Sequence, residues 1–128
     1  GTEGKWLEVA DQAQLAAVSG ALRKIIPGGG TSLENAFLAL RNLSPPPDNI
    51  FLLTDGLPTQ GTTPPRGSKV SGQERQKLYA QALRQLPGRV PVNIILAPME
   101  GDPMAAAAFW QLAQYTRGAL LMPSPDWP

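Results

Sequence analysis

The sequence predicts an α/β fold, a Rossmann-like parallel sheet with helices on both faces, and three observations carry that prediction. Two short apolar runs, Ile50-Phe51-Leu52-Leu53-Thr54 and Val92-Asn93-Ile94-Ile95-Leu96-Ala97, are too short for buried helices and suit strands covered on both sides. Segments with apolar residues at helical spacing stand before, between and after these runs. Parallel strands need a crossover connection, and the crossover helix covers the sheet it joins.

The elements follow in order. Lys5-Trp6-Leu7-Glu8-Val9 alternates polar and apolar residues as a half-buried strand does. Asp11 can cap an amphipathic helix carrying Leu15, Val18, Leu22, Ile25 and Ile26, which Pro27 and three glycines stop. Thr31-Ser32-Leu33-Glu34 fits a capping box with Thr31 as the cap, and Leu33, Ala36, Phe37, Leu40 and Leu43 continue a second helix toward Pro45-Pro46-Pro47. The strand Ile50 to Thr54 ends at Asp55-Gly56. Residues 57 to 70 show no periodicity and form an irregular loop, longer than the usual ~4–6 residues, which makes it functional or mobile.

Ser71-Gly72-Gln73-Glu74 is a second capping box, and Tyr79, Ala82, Leu83 and Leu86 share one face of the helix it opens, up to Pro87-Gly88. After the second strand, Asp102-Pro103 starts a helix whose inner face is Phe109, Leu112, Ala113 and Thr116, with Arg117 near its negative end and Gly118 as its stop. Ala119 to Met122 is a last short strand, and the proline-rich tail leaves Trp127 available to dock on the surface.

Composition narrows the function. At 128 residues one domain is expected, and a net charge of +1 gives no strong pull toward nucleic acid or membrane. The absence of Cys excludes disulfides, thiolate metal sites and a cysteine nucleophile; the absence of His removes the Ser-His-Asp triad and the usual zinc sites. Oxygen-ligand chemistry with hard cations stays open. No apolar run reaches the ~18 residues of a membrane span, and the first residues lack a signal-peptide pattern. Arg23-Lys24, Arg41, Arg66, Lys69, Arg75, Lys77, Arg84, Arg89 and Arg117 are spread without aromatic interleaving, as on a solvated surface.

In open parallel sheets, ligands bind just past the C-terminal ends of the strands, and Asp55 stands at such a place. A charge there is held by hydrogen-bond donors, a cation or solvent, and the simplest assignment is a turn closed by its own neighbouring amides. The helix cap likewise accounts for Thr31 without a ligand.

Taken together, Gly28-Gly29-Gly30-Thr31-Ser32-Leu33-Glu34-Asn35-Ala36 and Phe51-Leu52-Leu53-Thr54-Asp55-Gly56 resemble the von Willebrand factor type A domain. In that family a glycine-rich turn delivers a Thr and a strand ends in Thr-Asp-Gly, and both side chains join a metal-ion-dependent adhesion site. Carried over here, the resemblance makes Thr31 and Asp55 ligands of Mg²⁺ or Mn²⁺, with Gly30, Ser32 and Gly56 on the surrounding binding surface. It implies a non-enzymatic protein–protein interaction module whose partner presents an acidic residue to the metal. The order of the later elements, including Phe109-Trp110-Gln111-Leu112-Ala113 and Gly118-Ala119, agrees with the family over nearly the whole chain.

One departure is large. The family's first motif, D-x-S-x-S at the end of a central strand, does not occur in this sequence. The resemblance therefore implies a domain lacking its N-terminal strands, with weak or no metal binding by this chain, and a free sheet edge at Ile50 to Thr54 through which copies self-associate or swap segments. The alternative within the same fold is a metal-free or degenerate scaffold domain. Among enzymes, a haloacid-dehalogenase-like phosphoryl transferase needs an Asp where Leu53 stands, and a P-loop needs a Lys where Gly30 stands.

Overall fold

The computed structural model describes residues 5–26, 28–65, 67, 69–97 and 101–123. The expectations for Trp127 and Arg66 fall outside them. The order is α1 (Gln12–Leu22), α2 (Leu33–Arg41), β1 (Ile50–Thr54), α3 (Gly72–Leu83), β2 (Val92–Leu96), α4 (Ala105–Thr116) and β3 (Leu120–Leu121). The strands form one parallel sheet in the order β1-β2-β3, with Ile50 opposite Val92, Thr54 opposite Leu96, and Ile94 opposite Leu120. Mixed α/β architecture with a small open parallel sheet is thus established. Among the described residues no helix is long and apolar enough to cross a membrane.

The expectation of helices on both faces is corrected. Two successive crossovers that step the same way across a parallel sheet, each right-handed, must put their helices on the same face. The contacts agree: Tyr79 of α3 meets Phe109 of α4 edge to face at 5.4 Å, and the Tyr79 hydroxyl donates to the Ala108 carbonyl at 2.9 Å. Ile50, Val92, Ile94 and Leu96 point into this one-sided core with Leu33, Phe37, Phe109 and Leu112. The opposite face is bare: Phe51 and Leu53 are 67% and 71% exposed. The strand Ile50 to Thr54 is therefore covered on one side only, contrary to its continuous apolar character.

Two further expectations change at the N-terminal side. Lys5 to Val9 is not a strand; it runs exposed, held where the Trp6 indole N–H donates to the Pro45 carbonyl at 2.8 Å. An alternating pentapeptide has no partner strand here to complete a ladder. The helix α1 starts at the predicted cap, with the Asp11 carboxylate accepting from Ala13 and Gln14 amides at 2.9 and 3.1 Å, but it ends at Leu22, so Ile25 and Ile26 lie beyond it. Its apolar face buries nothing, and α1 touches no other helix or strand. Ser71 and Glu74 form the predicted reciprocal capping box of α3.

Burial in the α3–α4 interface pushes the Tyr79 phenol pKa up. The folded state keeps this proton after the unfolded chain, with its phenol near ~10, has lost it. Stability is accordingly expected to hold below about pH 10 and to fall as pH rises beyond it, an effect absent from Tyr79→Phe in urea titrations at several pH values.

Candidate functional site

The C-terminal end of β1 is built around a buried polar ring that local sequence does not announce. Leu57 N–H donates to Asp102 Oδ2 at 2.7 Å, and the Leu57 carbonyl accepts from Arg75 Nε and Nη2 at 3.2 and 2.6 Å. Arg75 Nη2 closes the ring on Asp102 Oδ2 at 2.8 Å, with the two side chains only 11% and 4% exposed. One side chain from α3 and one from the approach to α4 thus hold the chain three residues past β1. Gly56 is needed because the ring lies against it: a Cβ there would stand 2.6 Å from Asp102 Oδ2 and 3.0 Å from Arg75 Nη2.

This ring explains two differences from the sequence reading. Arg75 belongs to the core and not to the solvated surface. The helix α4 starts at Ala105, without a side-chain cap, because the carboxylate expected to open it at Asp102 is committed to Leu57 and Arg75.

The glycine-rich turn is brought to the same end of the sheet. The Thr31 N–H donates to Thr59 Oγ1 at 2.9 Å, and the Thr31 carbonyl accepts from the Thr59 and Gln60 amides at 3.0 and 3.1 Å. Thr31 is thereby clasped to the loop that leaves Asp55. The approach at Gly30 is close, a Cβ there lying 2.8 Å from Gln60 Oε1, a side-chain end that can turn aside. The first part of the loop 57 to 70 is accordingly fixed to α2, with Ser32 Oγ donating to the Gly61 carbonyl at 2.7 Å.

Both non-ligand roles considered for Thr31 and Asp55 pass to other residues. The N-cap of α2 is Ser32, whose hydroxyl accepts the Asn35 amide at 3.1 Å, so the box centred on Thr31 is displaced by one residue. The turn after β1 is closed by Thr54, which accepts the Gly56 amide at 3.4 Å and donates to the Gly56 carbonyl at 3.0 Å, and by Asp102. Thr31 and Asp55 are exposed, and neither side chain hydrogen-bonds to another described residue. A groove of about 300 Å³ lies between α2, α3 and the loop, lined by Glu34, Gln60, Gly61, Thr62, Leu78 and Gln81 among others, and neither Thr31 nor Asp55 lines it.

The donors fit a hard cation in kind and fall short in number. Mg²⁺ takes six oxygens in near-octahedral array, and one carboxylate with one hydroxyl leaves most of them to water. Among the described residues no group of three or more His, Cys, Asp or Glu is positioned to hold a metal.

The larger cavity, about 660 Å³, lies away from this site, between residues 83–91 and Tyr115 to Arg117. Arg117 and Arg89 on its rim both adopt positive φ, at 62° and 64°. At the carbonyl end of α4, the Arg117 charge offsets the helix dipole, which accounts for it without a ligand.

Comparison with known families, curated proteins and solved structures finds no match to this chain.

Proposed function

We propose that the chain is a protein–protein interaction module of the von Willebrand A type, not an enzyme, with Thr31 and Asp55 as the part of a metal-ion-dependent adhesion site that this chain carries. The observation that supports this reading most is the release of both side chains from structural duty: Ser32 caps α2, and Thr54 with Asp102 closes the turn. The clasp between Thr31 and Thr59–Gln60 puts the two loops at the ligand-binding end of a parallel sheet. Gly30 and Ser32 then shape the surface on which a partner's acidic side chain completes the coordination of Mg²⁺ or Mn²⁺; Gly56, expected on that surface, is buried against the Arg75–Asp102 ring.

With so few protein donors, affinity for the free ion is expected on the order of 1 mM or weaker. Mn²⁺ suits the test because its paramagnetism broadens nuclear resonances even when binding is weak. Broadening is expected to centre on the amides of Thr31, Asp55 and Gly56, and to vanish in Asp55→Ala with the rest of the spectrum unchanged. An undiminished response in Asp55→Ala removes that residue from the site. No response at any site leaves the metal-free scaffold domain as the better account.

A further inference from the structure

Among the described residues, two other than glycine adopt the left-handed conformation, Arg89 at φ 64° and Arg117 at φ 62°. Both are arginine, and both line the cavity of about 660 Å³ at the end of the sheet where β2 begins. Glycine takes this conformation without the steric cost that a side chain incurs, and neither position uses it. Residues held so collect at binding sites, where function and not stability keeps them. The α4 dipole accounts for a positive charge at this end of the helix, but not for its place on the strained residue: the last turn of α4, where such a charge needs no strain, carries no basic residue. Nor does a dipole account for Arg89, since α3 ends at Leu83, more than a turn earlier, and the effect fades within the last turn.

The two guanidinium groups are available. Neither forms an ion pair or a side-chain hydrogen bond among the described residues, in contrast with Arg75 and Arg41, and no acidic residue is among those lining the cavity. Leu83, Leu86, Pro87 and Pro91 give the cavity an apolar wall, and the exposed ring of Tyr115 stands on its rim. The two sides are fixed in place without a ligand. The Val92 N–H donates to Thr116 Oγ1 at 3.1 Å, tying the end of α4 to the start of β2, and the Pro91 carbonyl accepts from the Ile50 N–H at 3.0 Å. A preformed cavity of this volume falls within the ~300–1,000 Å³ of small-molecule sites.

We propose that this cavity binds a small phosphate monoester with an apolar body, its phosphate held between Arg89 and Arg117 and its body lying on the leucine and proline wall. Guanidinium forks match phosphate oxygens two at a time, and two of them with no carboxylate in the lining favour a group that carries close to two negative charges at neutral pH. The cavity lies at the opposite end of the sheet from Thr31 and Asp55, so the inference does not rest on the metal site.

Titration with 1-naphthyl phosphate, followed through amide chemical shifts, tests it. Saturable shifts are expected to centre on Arg89, Val90, Thr116 and Arg117. The same body without the charge, 1-naphthol, is expected to bind at least about tenfold more weakly, the worth of one charge-assisted hydrogen bond. Arg89→Gly and Arg117→Gly each remove a guanidinium together with the left-handed side chain. Each is expected to weaken binding about tenfold while the thermal unfolding midpoint holds or rises. A role confined to the fold gives the reverse, a lowered midpoint with binding unchanged. Equal binding of naphthol, shifts centred on Phe51 and Leu53 of the bare face, or undiminished binding in either glycine variant overturns the proposal. A glutamate-rich peptide that binds more tightly than naphthyl phosphate overturns the choice of a small molecule.

Discussion

Asp102→Ala is expected to cost about 3–5 kcal/mol in urea denaturation, because it removes one partner of a buried ion pair and leaves the other in place. The Arg75 guanidinium would keep its two bonds to the Leu57 carbonyl and lose its counter-charge, and the Leu57 amide would lose its acceptor. Against a folding free energy of ~5–15 kcal/mol, that is about a fifth of the total or more. Asp102→Asn keeps an acceptor near Leu57 and is expected to lose less, about 2 kcal/mol, the part due to charge. Adding Arg75→Met to Asp102→Ala is expected to restore part of the loss, since no buried charge then lacks a partner. Strictly additive costs would show that the two residues do not act as a pair. The ring also fixes the turn after Asp55, so Asp102→Ala should weaken Mn²⁺ broadening at Thr31 as well as stability, although the Asp102 carboxylate is itself committed to Leu57 and Arg75.

That ring marks where sequence reasoning runs out. The strands Ile50–Thr54 and Val92–Leu96 were legible because apolar runs of that length have few alternatives, and α2, α3 and α4 because their apolar residues recur at helical spacing and end up buried as Phe37, Tyr79 and Phe109. Periodicity reports a preferred face and is silent on whether anything covers it. The exposed side of α1 and the bare face bearing Phe51 and Leu53 therefore went unseen, although two same-direction crossovers already require the second. Thr31 and Asp55 are singled out as a pair by motif order alone. Their true neighbours were not legible: Arg75 looks like any surface arginine on a capped helix, and Asp102 before Pro103 looks like a helix start. Only the fold brings residues 57, 75 and 102 together, and no spacing along the chain encodes that meeting. The one-residue displacement of the α2 cap has a local cause, since Thr31 is held through both its backbone groups by Thr59 and Gln60, leaving Ser32 to take the first free amides.

Gly118→Ala is expected to be the most damaging single methyl group in the protein, at more than about 3 kcal/mol. The turn from α4 into β3 passes so near β2 that a Cβ at this position would overlap the carbonyl of Val92. The obstacle is backbone on both sides and cannot rotate away. Around it the structure is tied closely: the Gly118 N–H donates to the Ala113 carbonyl at 2.8 Å, the Val92 N–H to Thr116 Oγ1 at 3.1 Å, and the Ile94 N–H to the Ala119 carbonyl at 2.7 Å. Relieving the overlap means moving β3 off β2 or α4 off the core residues Phe109 and Leu112. The adjacent residue provides the contrast. Arg117, not the glycine, is the left-handed residue that ends α4, at φ 62°. Arg117→Gly relaxes that conformation and is expected to change stability by no more than about 1 kcal/mol, toward greater stability. Glycine is thus expected to help at 117 and to be indispensable at 118, and thermal unfolding of the two variants side by side separates the roles. If Gly118→Ala unfolds within about 1 kcal/mol of the parent, the close passage of α4 and β3 over Val92 is not what holds the third strand in the sheet.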